Sequence, residues 1–348
     1  MIRVLVAEDS PTARALIVEI LTSDPDIEVV GQALTGRAAV EMAVELRPDL
    51  ITMDVEMPLL DGLAATREIM ERVPTPIVVV SASTNRRDSE RSLDALACGA
   101  LYVIDKPEHP FAPGFDEWRD QFLAAVKAMA YVEVVRRVRR RSGPTLTPRS
   151  VPLSSVTDDP AVRIVAIAAS TGGPSALHII LRSLPAHFPL PIVIVQHIAH
   201  GFTGALAGWL GQGCRVVVRL AEHDEPLRGG VAYLAPDDRQ LGVTKQRIAL
   251  ADGPKVGSFR PSATYLFESV ASVYGAAVMA VILTGMGTDG VAGLHRVRAA
   301  GGRVLAQDEE SCVVFGMPGE AIRAGLADAV LTPKAIGDRL LRLARNPL

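Results

Sequence analysis

Short runs of Val, Ile and Leu alternate with amphipathic stretches along most of the chain, and nothing else in the sequence restricts the fold as much. In the first third the apolar runs are residues 2–7, 28–33, 50–53, 76–80 and 100–104, each the length of a strand. Helical patterns lie between them at 12–21, 37–46, 63–71 and 89–98, and a fifth follows at 116–130. Crossovers of that length join parallel strands, are right-handed, and cover both faces of the sheet.

The same rhythm resumes later. Strands are expected at 163–168, 191–196, 215–220, 231–235, 276–283 and 303–306, with helices at 174–183, 203–210, 263–274, 291–299 and 317–324. Between the two series the texture changes. Residues 136–141 carry five arginines in six positions, and 142–160 are Ser-, Thr- and Pro-containing with no sustained period. The expected organisation is α/β throughout, as two doubly wound parallel-sheet domains. They cover residues 1–125 and 161–348, with a linker at 126–160 that is helical, basic, then Ser/Thr/Pro-rich. A length of 348 residues with 49% hydrophobic content sustains two cores. A net charge of −3 argues against a dedicated nucleic-acid binder. Cys98, Cys214 and Cys312 are too few and scattered for a disulfide or zinc framework. No run approaches the roughly 18–20 apolar residues of a membrane span, and the N-terminus reaches Glu8 and Asp9 too soon for a signal peptide, so a cytoplasmic protein without membrane insertion is expected.

Functional side chains of an open parallel sheet gather at the carboxyl ends of its strands. Here those ends carry Glu8 and Asp9, then Asp54, then Ser81, then Lys106 followed by Pro107. Three carboxylates in one crevice repel one another unless a cation joins them, and hard oxygen ligands with open positions suit Mg²⁺. One acidic pair would be a solvated loop feature, but the joint occurrence at successive strand ends marks a site. These residues resemble a response-regulator receiver domain of the flavodoxin-like fold. The resemblance implies that Asp54 accepts a phosphoryl group and that Glu8, Asp9 and Asp54 hold Mg²⁺. It also implies that Lys106 pairs with the phosphoryl group, that Ser81 is the switch hydroxyl, and that Tyr102 is the switch aromatic.

In the second domain the strand at 163–168 runs into Ala169-Ser170-Thr171-Gly172-Gly173-Pro174 and a helix. A serine at such a turn is exposed, and the backbone N–H groups after it point to where an oxyanion forms. Taken alone, Ser-Thr before two glycines is a helix cap. Position 168 is Ala, so this is not the G-x-S-x-G elbow. His197 follows the strand at 191–196, and Asp289 follows the strand at 276–283, in Thr284-Gly285-Met286-Gly287-Thr288-Asp289-Gly290. Together Ser170, His197 and Asp289 supply nucleophile, general base and orienting carboxylate, in a chain order unlike the three common hydrolase orders. Three other motifs are weaker. Gly285, Gly287 and Gly290 match a dinucleotide fingerprint, but Asp289 stands inside the loop meant to cradle an anion. Gly31 and Gly36 lack the Lys-Ser/Thr of a phosphate loop, and His197 with His200 lacks a third zinc ligand.

The combination resembles the CheB chemotaxis methylesterase family, a receiver joined by a linker to a protein-glutamate methylesterase domain, over nearly the whole chain. The resemblance rests on residues 169–174, Val195-Gln196-His197, Gly201-Phe202-Thr203, Tyr233-Leu234-Ala235-Pro236, residues 283–290 and Val314-Phe315-Gly316-Met317-Pro318-Gly319. It implies that Ser170 is the nucleophile, His197 the base and Asp289 the orienter, with Thr171 and Met286 at the oxyanion site. It implies cleavage of glutamate methyl esters on methyl-accepting chemoreceptors, with deamidation of receptor glutamine, and needs no cofactor for the esterase step. A chemotaxis histidine kinase would phosphorylate Asp54, and the resting receiver would cover the Ser170 cleft. Three departures stand out. Ala263-Thr264 replaces a frequent Val-Asp and bears on substrate recognition, Ser81 replaces a frequent Thr, and His200 replaces a Pro-containing stretch. The alternative function is a non-enzymatic receiver-linked signalling adaptor, against which the complete triad argues.

Overall fold

The computed structural model of the chain describes residues 1–81, 86–106, 114–132 and 162–343. The arginine run at 136–141 and the Ser/Thr/Pro stretch at 142–160 lie outside those residues. In the first domain β1 (Ile2–Ala7), α1 (Pro11–Thr22), β2 (Ile27–Ala33), α2 (Gly36–Leu46), β3 (Leu50–Met53), α3 (Gly62–Arg72), β4 (Ile77–Ser81), α4 (Arg86–Cys98), β5 (Tyr102–Asp105) and α5 (Phe115–Ala130) alternate. The strands form one parallel sheet in the order β2-β1-β3-β4-β5. Along β1, Val4 and Val6 enter one core cluster while Leu5 and Ala7 enter another, so both sheet faces are buried. That two-sided burial is why the strands read as unbroken apolar runs.

Side-chain caps start the first three helices. Ser10 Oγ accepts from Ala13 N, Thr35 Oγ1 from Ala38 N, and Asp61 Oδ1 from Ala64 N. A Cβ on Gly62 would lie 1.9 Å from the Asp54 carbonyl oxygen, so only glycine lets α3 begin against the end of β3. The boundary drawn at residue 125 falls inside α5. Val126 and Met129 are buried in the first domain's core, and their packing carries the helix on to Ala130.

The second domain contains β6 (Ile164–Ala169), α6 (Gly173–Ser183), β7 (Ile192–Gln196), α7 (Thr203–Gly211), β8 (Val217–Leu220), β9 (Val231–Leu234), β10 (Gln240–Thr244), β11 (Arg247–Ala251), α8 (Ala263–Tyr274), β12 (Val278–Ile282), α9 (Val291–Ala299), β13 (Arg303–Gln307), α10 (Met317–Arg323), β14 (Ala329–Leu331) and α11 (Pro333–Leu343). Seven strands form a parallel sheet in the order β14-β13-β12-β6-β7-β9-β8. The strand order reverses between β6 and β12, the point where a doubly wound sheet opens a crevice. β10 and β11 form a separate antiparallel hairpin absent from the sequence expectation, as are β14 and α11. Both domains are therefore doubly wound α/β, as expected.

The domains pack against each other. α4 of the first lies on α7 and α6 of the second, and Val313 and Val314 reach the first domain's core cluster. No helix among the described residues is long and apolar enough to cross a membrane.

Candidate active site and acidic cluster

β6 and β12 are hydrogen-bonded neighbours, and so are β6 and β7, which brings the ends of all three strands together. Ser170 is the first residue beyond β6. Its N–H donates to the Thr284 carbonyl at 3.0 Å, and its own carbonyl accepts from Gly173 N at 2.8 Å. Gln196 Nε2 donates to the same carbonyl at 2.7 Å, so the turn that carries the hydroxyl is held without using the hydroxyl itself. A Cβ on Gly285 would come within 2.6 Å of Ser170 Cβ, so glycine at 285 lets the loop after β12 close onto this turn.

His197 follows β7, with its N–H donating to the Ala169 carbonyl at 2.9 Å. Its imidazole lies flat on Phe259, with centroids 4.1 Å apart and planes 6° from parallel. Nε2 is 3.0 Å from Asp289 Oδ2, while Nδ1 is buried without a hydrogen-bond partner in the structure. An ionised carboxylate only accepts, so Nε2 carries the proton and Nδ1 keeps its lone pair. The nitrogen available to act as base is Nδ1.

Asp289 is 9% exposed and sits at the N-terminus of α8. Ser262 Oγ donates to its Oδ1 at 2.8 Å, Thr264 N to Oδ1 at 3.0 Å, and Ala263 N to Oδ2 at 2.7 Å. Oriented N–H groups at a helix start favour an anion. Burial alone raises the carboxyl pKa, but the His197 hydrogen bond and charge, with the N–H groups of Thr264 and Ala263, outweigh it. The result falls from 3.8 to about 2. The expectation that Ala263-Thr264 bears on substrate recognition is corrected here. Both residues are buried and meet the Asp289 carboxylate through their N–H groups, and Thr264 Oγ1 accepts from Gly290 N.

A pH dependence follows. Because the folded pKa lies below the unfolded one, Asp289 contributes about 2 kcal/mol of stability above pH ~5, and this is lost as pH falls toward 2. The gap in unfolding free energy between wild type and Asp289→Asn should therefore narrow by about 1 kcal/mol between pH 6 and pH 3 in urea titrations. A gap that stays constant would contradict the cradle.

Thr171 is buried beside Ser170, and Met286 is 43% exposed at the rim. Ser170, Thr171, His197 and Met286 line one cavity of about 920 Å³, whose other wall includes Tyr102, Trp118 and Met129 of the first domain. The first domain thus stands over the cleft, with α5 facing it. Of the residues named from sequence in this domain, Ser170, Thr171, His197 and Met286 line the cavity, and Asp289 joins them through His197. Ser262 and Phe259 were missed. Ser262 carries a readable signal, a serine just before the helical pattern at 263–274, whereas nothing local marks Phe259. His200 is exposed and pairs with Asp238 at 3.2 Å, outside any metal-like cluster among the described residues. The Gly285–Gly290 loop turns Asp289 toward the N-terminus of α8.

In the first domain, carboxylate oxygens of Glu8, Asp9 and Asp54 lie within 4.8 Å of one another. Lys106 Nζ donates to Asp54 Oδ2 at 2.7 Å and to Glu8 Oε1 at 3.0 Å. Burial, then Asp54, push Glu8 up to about 7 despite Lys106. Burial also raises Asp54. For Lys106 burial works against the charge, but Asp54 and Glu8 keep its pKa above the ordinary range. Three acids facing one ammonium leave negative charge in excess, an all-oxygen set that fits a hard divalent cation. Ser81 is buried at the end of β4, paired in register with Asp105 next to Lys106. Tyr102 begins β5 and lines the cavity between the domains rather than the acidic crevice.

Two family models match the chain: CheB methylesterase over residues 165–340 and response regulator receiver domain over residues 4–111. A Myxococcus xanthus (strain DK1622) protein named protein-glutamate methylesterase/protein-glutamine glutaminase 4 is 51% identical over 348 residues, 99% of this chain and 98% of its own. An Anaeromyxobacter dehalogenans (strain 2CP-C) protein, named protein-glutamate methylesterase/protein-glutamine glutaminase 3, is 51% identical over 342 residues, 98% of each chain. The crystal structure of the Thermotoga maritima CheB methylesterase catalytic domain is similar with a TM-score of 0.51. It shares 42% identity and covers 52% of this chain and 98% of its own.

Proposed function

The chain belongs to the CheB methylesterase family, with a response-regulator receiver domain ahead of the catalytic one, and from that we propose a phosphorylation-gated protein-glutamate methylesterase and protein-glutamine glutaminase. Its substrates are the methylated glutamates and the glutamines of chemoreceptor cytoplasmic helices. The observation that carries the reading is the His197–Asp289 pair, which leaves Nδ1 unpartnered beside the Ser170 cavity.

Nδ1 takes the Ser170 hydroxyl proton as Oγ attacks the ester carbonyl. The carbonyl oxygen gains the negative charge and meets backbone N–H groups at Thr171 and Met286. Collapse breaks the bond to methoxide, which leaves as methanol with the proton from His197. Water then adds to the acyl-Ser170 carbonyl with His197 again as base, releasing the glutamate carboxylate. A glutamine side chain passes through the same intermediate and gives ammonia. Asp289 stays ionised throughout and keeps the imidazole in one tautomer.

Asp54 is the phospho-acceptor for a chemotaxis histidine kinase, with Ser81 and Tyr102 as the switch pair. Glu8, Asp9 and Asp54 hold Mg²⁺, which when bound supplies positive charge to the phosphoryl oxygens. Lys106 pairs with the same oxygens once Asp54 carries the phosphoryl group as an acyl phosphate. That change of charge weakens the seat of the receiver over the cleft. Acetyl phosphate with Mg²⁺ should speed methanol release from methylated receptor roughly 5–150-fold in wild type, the usual range of coupling energies. It should leave Asp54→Asn unchanged. Equal stimulation of both proteins would remove the gating step, and no methanol release from either would favour the adaptor reading.

A further inference from the structure

We propose that Gln196 is a positioning residue for the acyl-transfer step, holding the nucleophile and base residues through one side-chain nitrogen and so aiming the Thr171 N–H at the developing oxyanion. The inference rests on the esterase reading above. Gln196 ends β7 and is 2% exposed. Its Nε2 donates to the Ser170 carbonyl at 2.7 Å and to the His197 carbonyl at 2.8 Å. Both partners are acceptors only, so the amide nitrogen must face them, and both of its N–H bonds are used.

A peptide group is planar, with its C=O and the next N–H pointing opposite ways. Anchoring the Ser170 carbonyl therefore sets the direction of the Thr171 N–H. Two donors, Gln196 Nε2 and Gly173 N, hold that carbonyl and leave the plane little freedom. The second bond of Gln196 fixes the residue that carries the imidazole. A single side chain thus ties the turn after β6 to the residue after β7, where the reacting groups are mounted.

Two features indicate that the amide serves more than packing. Gln196 Oε1 is buried without a hydrogen-bond partner in the structure, an arrangement that costs stability and that an apolar side chain would avoid. A Cβ on Gly173 would also lie 2.1 Å from that oxygen, so the first residue of α6 has to be glycine for the amide to fit.

Gln196→Met keeps the length and removes both donors. Its kcat is expected to fall roughly 10–100-fold, below the ~10²–10³-fold loss for deleting an oxyanion donor outright. KM should stay within about twofold. A boronic acid that adds to Ser170 as a tetrahedral anion should lose affinity by the same factor as kcat, a readout that a change in stability alone would not move. Gln196→Glu provides the second arm. At neutral pH its carboxylate opposes two carbonyl oxygens, so its kcat relative to wild type should rise as pH is lowered and the acid regains a donor. A Gln196→Met enzyme with kcat within twofold of wild type would overturn the inference, as would lost kcat with undiminished boronate affinity. If the Met variant fails to fold, a pH-independent Glu-to-wild-type ratio overturns it. Ser170→Ala separates the two levels: activity retained there defeats the esterase reading itself, whereas an inactive Ser170→Ala beside an unaffected Gln196→Met defeats only this inference.

Discussion

Ser170→Ala should abolish methanol release from methylated receptor helices, with a fall of at least ~10³-fold and a ceiling near the ~10⁶-fold seen when a serine nucleophile is removed from other hydrolases. The fold should not share in that loss. The turn is held by Ser170 N and O, by Gln196 Nε2 and by Gly173 N, none of which involves the hydroxyl. The stability change should therefore stay within roughly 0.5 kcal/mol, the ordinary range for a substitution that breaks no packing or buried bond. Paired measurements of kcat/KM and urea midpoint distinguish a missing nucleophile from a damaged domain. Loss of both together would mean that the hydroxyl is structural.

Asp289→Asn is expected to be nearly as severe for activity and, unlike Ser170→Ala, to weaken the fold as well. The carboxylate accepts from Ser262 Oγ, Ala263 N, Thr264 N and the His197 imidazole. An amide offers one acceptor oxygen, and its NH₂ must face donors or the ring. If it faces the ring, Nε2 becomes the acceptor and the proton moves to Nδ1, where it blocks base function. A wrong tautomer of this kind costs ~10⁴-fold in kcat in the serine protease triad. Steady-state kinetics of Asp289→Asn should show a loss of that order in kcat, with a weakened fold at neutral pH. A loss of less than tenfold would mean that His197 does not depend on Asp289 for its tautomer.

Much of the architecture was legible because buried parallel strands leave unbroken apolar runs. β1, β3, α8 and α9 fall where the sequence places them, since both faces of these sheets are covered and the pattern is local. The β10–β11 hairpin escaped for the opposite reason. Its turn is Lys245-Gln246, with Gln246 in the left-handed region at φ 62°, and it lacks the Asn-Gly or Gly signal that usually marks such a turn. Its apolar residues Leu241, Val243, Ile248 and Leu250 bury against the second domain's core, a tertiary fact with no local trace.

The site divides in the same way. Ser170 and His197 announce themselves by standing directly after strand ends, and Asp289 by lying in the glycine-rich loop after β12. Much of what holds them does not, because several supporting contacts join residues far apart in the chain. Ser262 meets Asp289 across 27 positions and Gln196 meets Ser170 across 26. The Ala263-Thr264 departure illustrates the cost of reading side chains alone, since Asp289 takes N–H groups there, which most residue types supply equally well.

Fluorophosphonate labelling tests the catalytic assignment most directly. With acetyl phosphate and Mg²⁺ present, the reagent should modify Ser170 alone, and loss of methanol release should track that label one to one, with Ser170→Ala unlabelled. Full esterase activity in protein whose Ser170 is quantitatively modified would rule out Ser170 as the nucleophile.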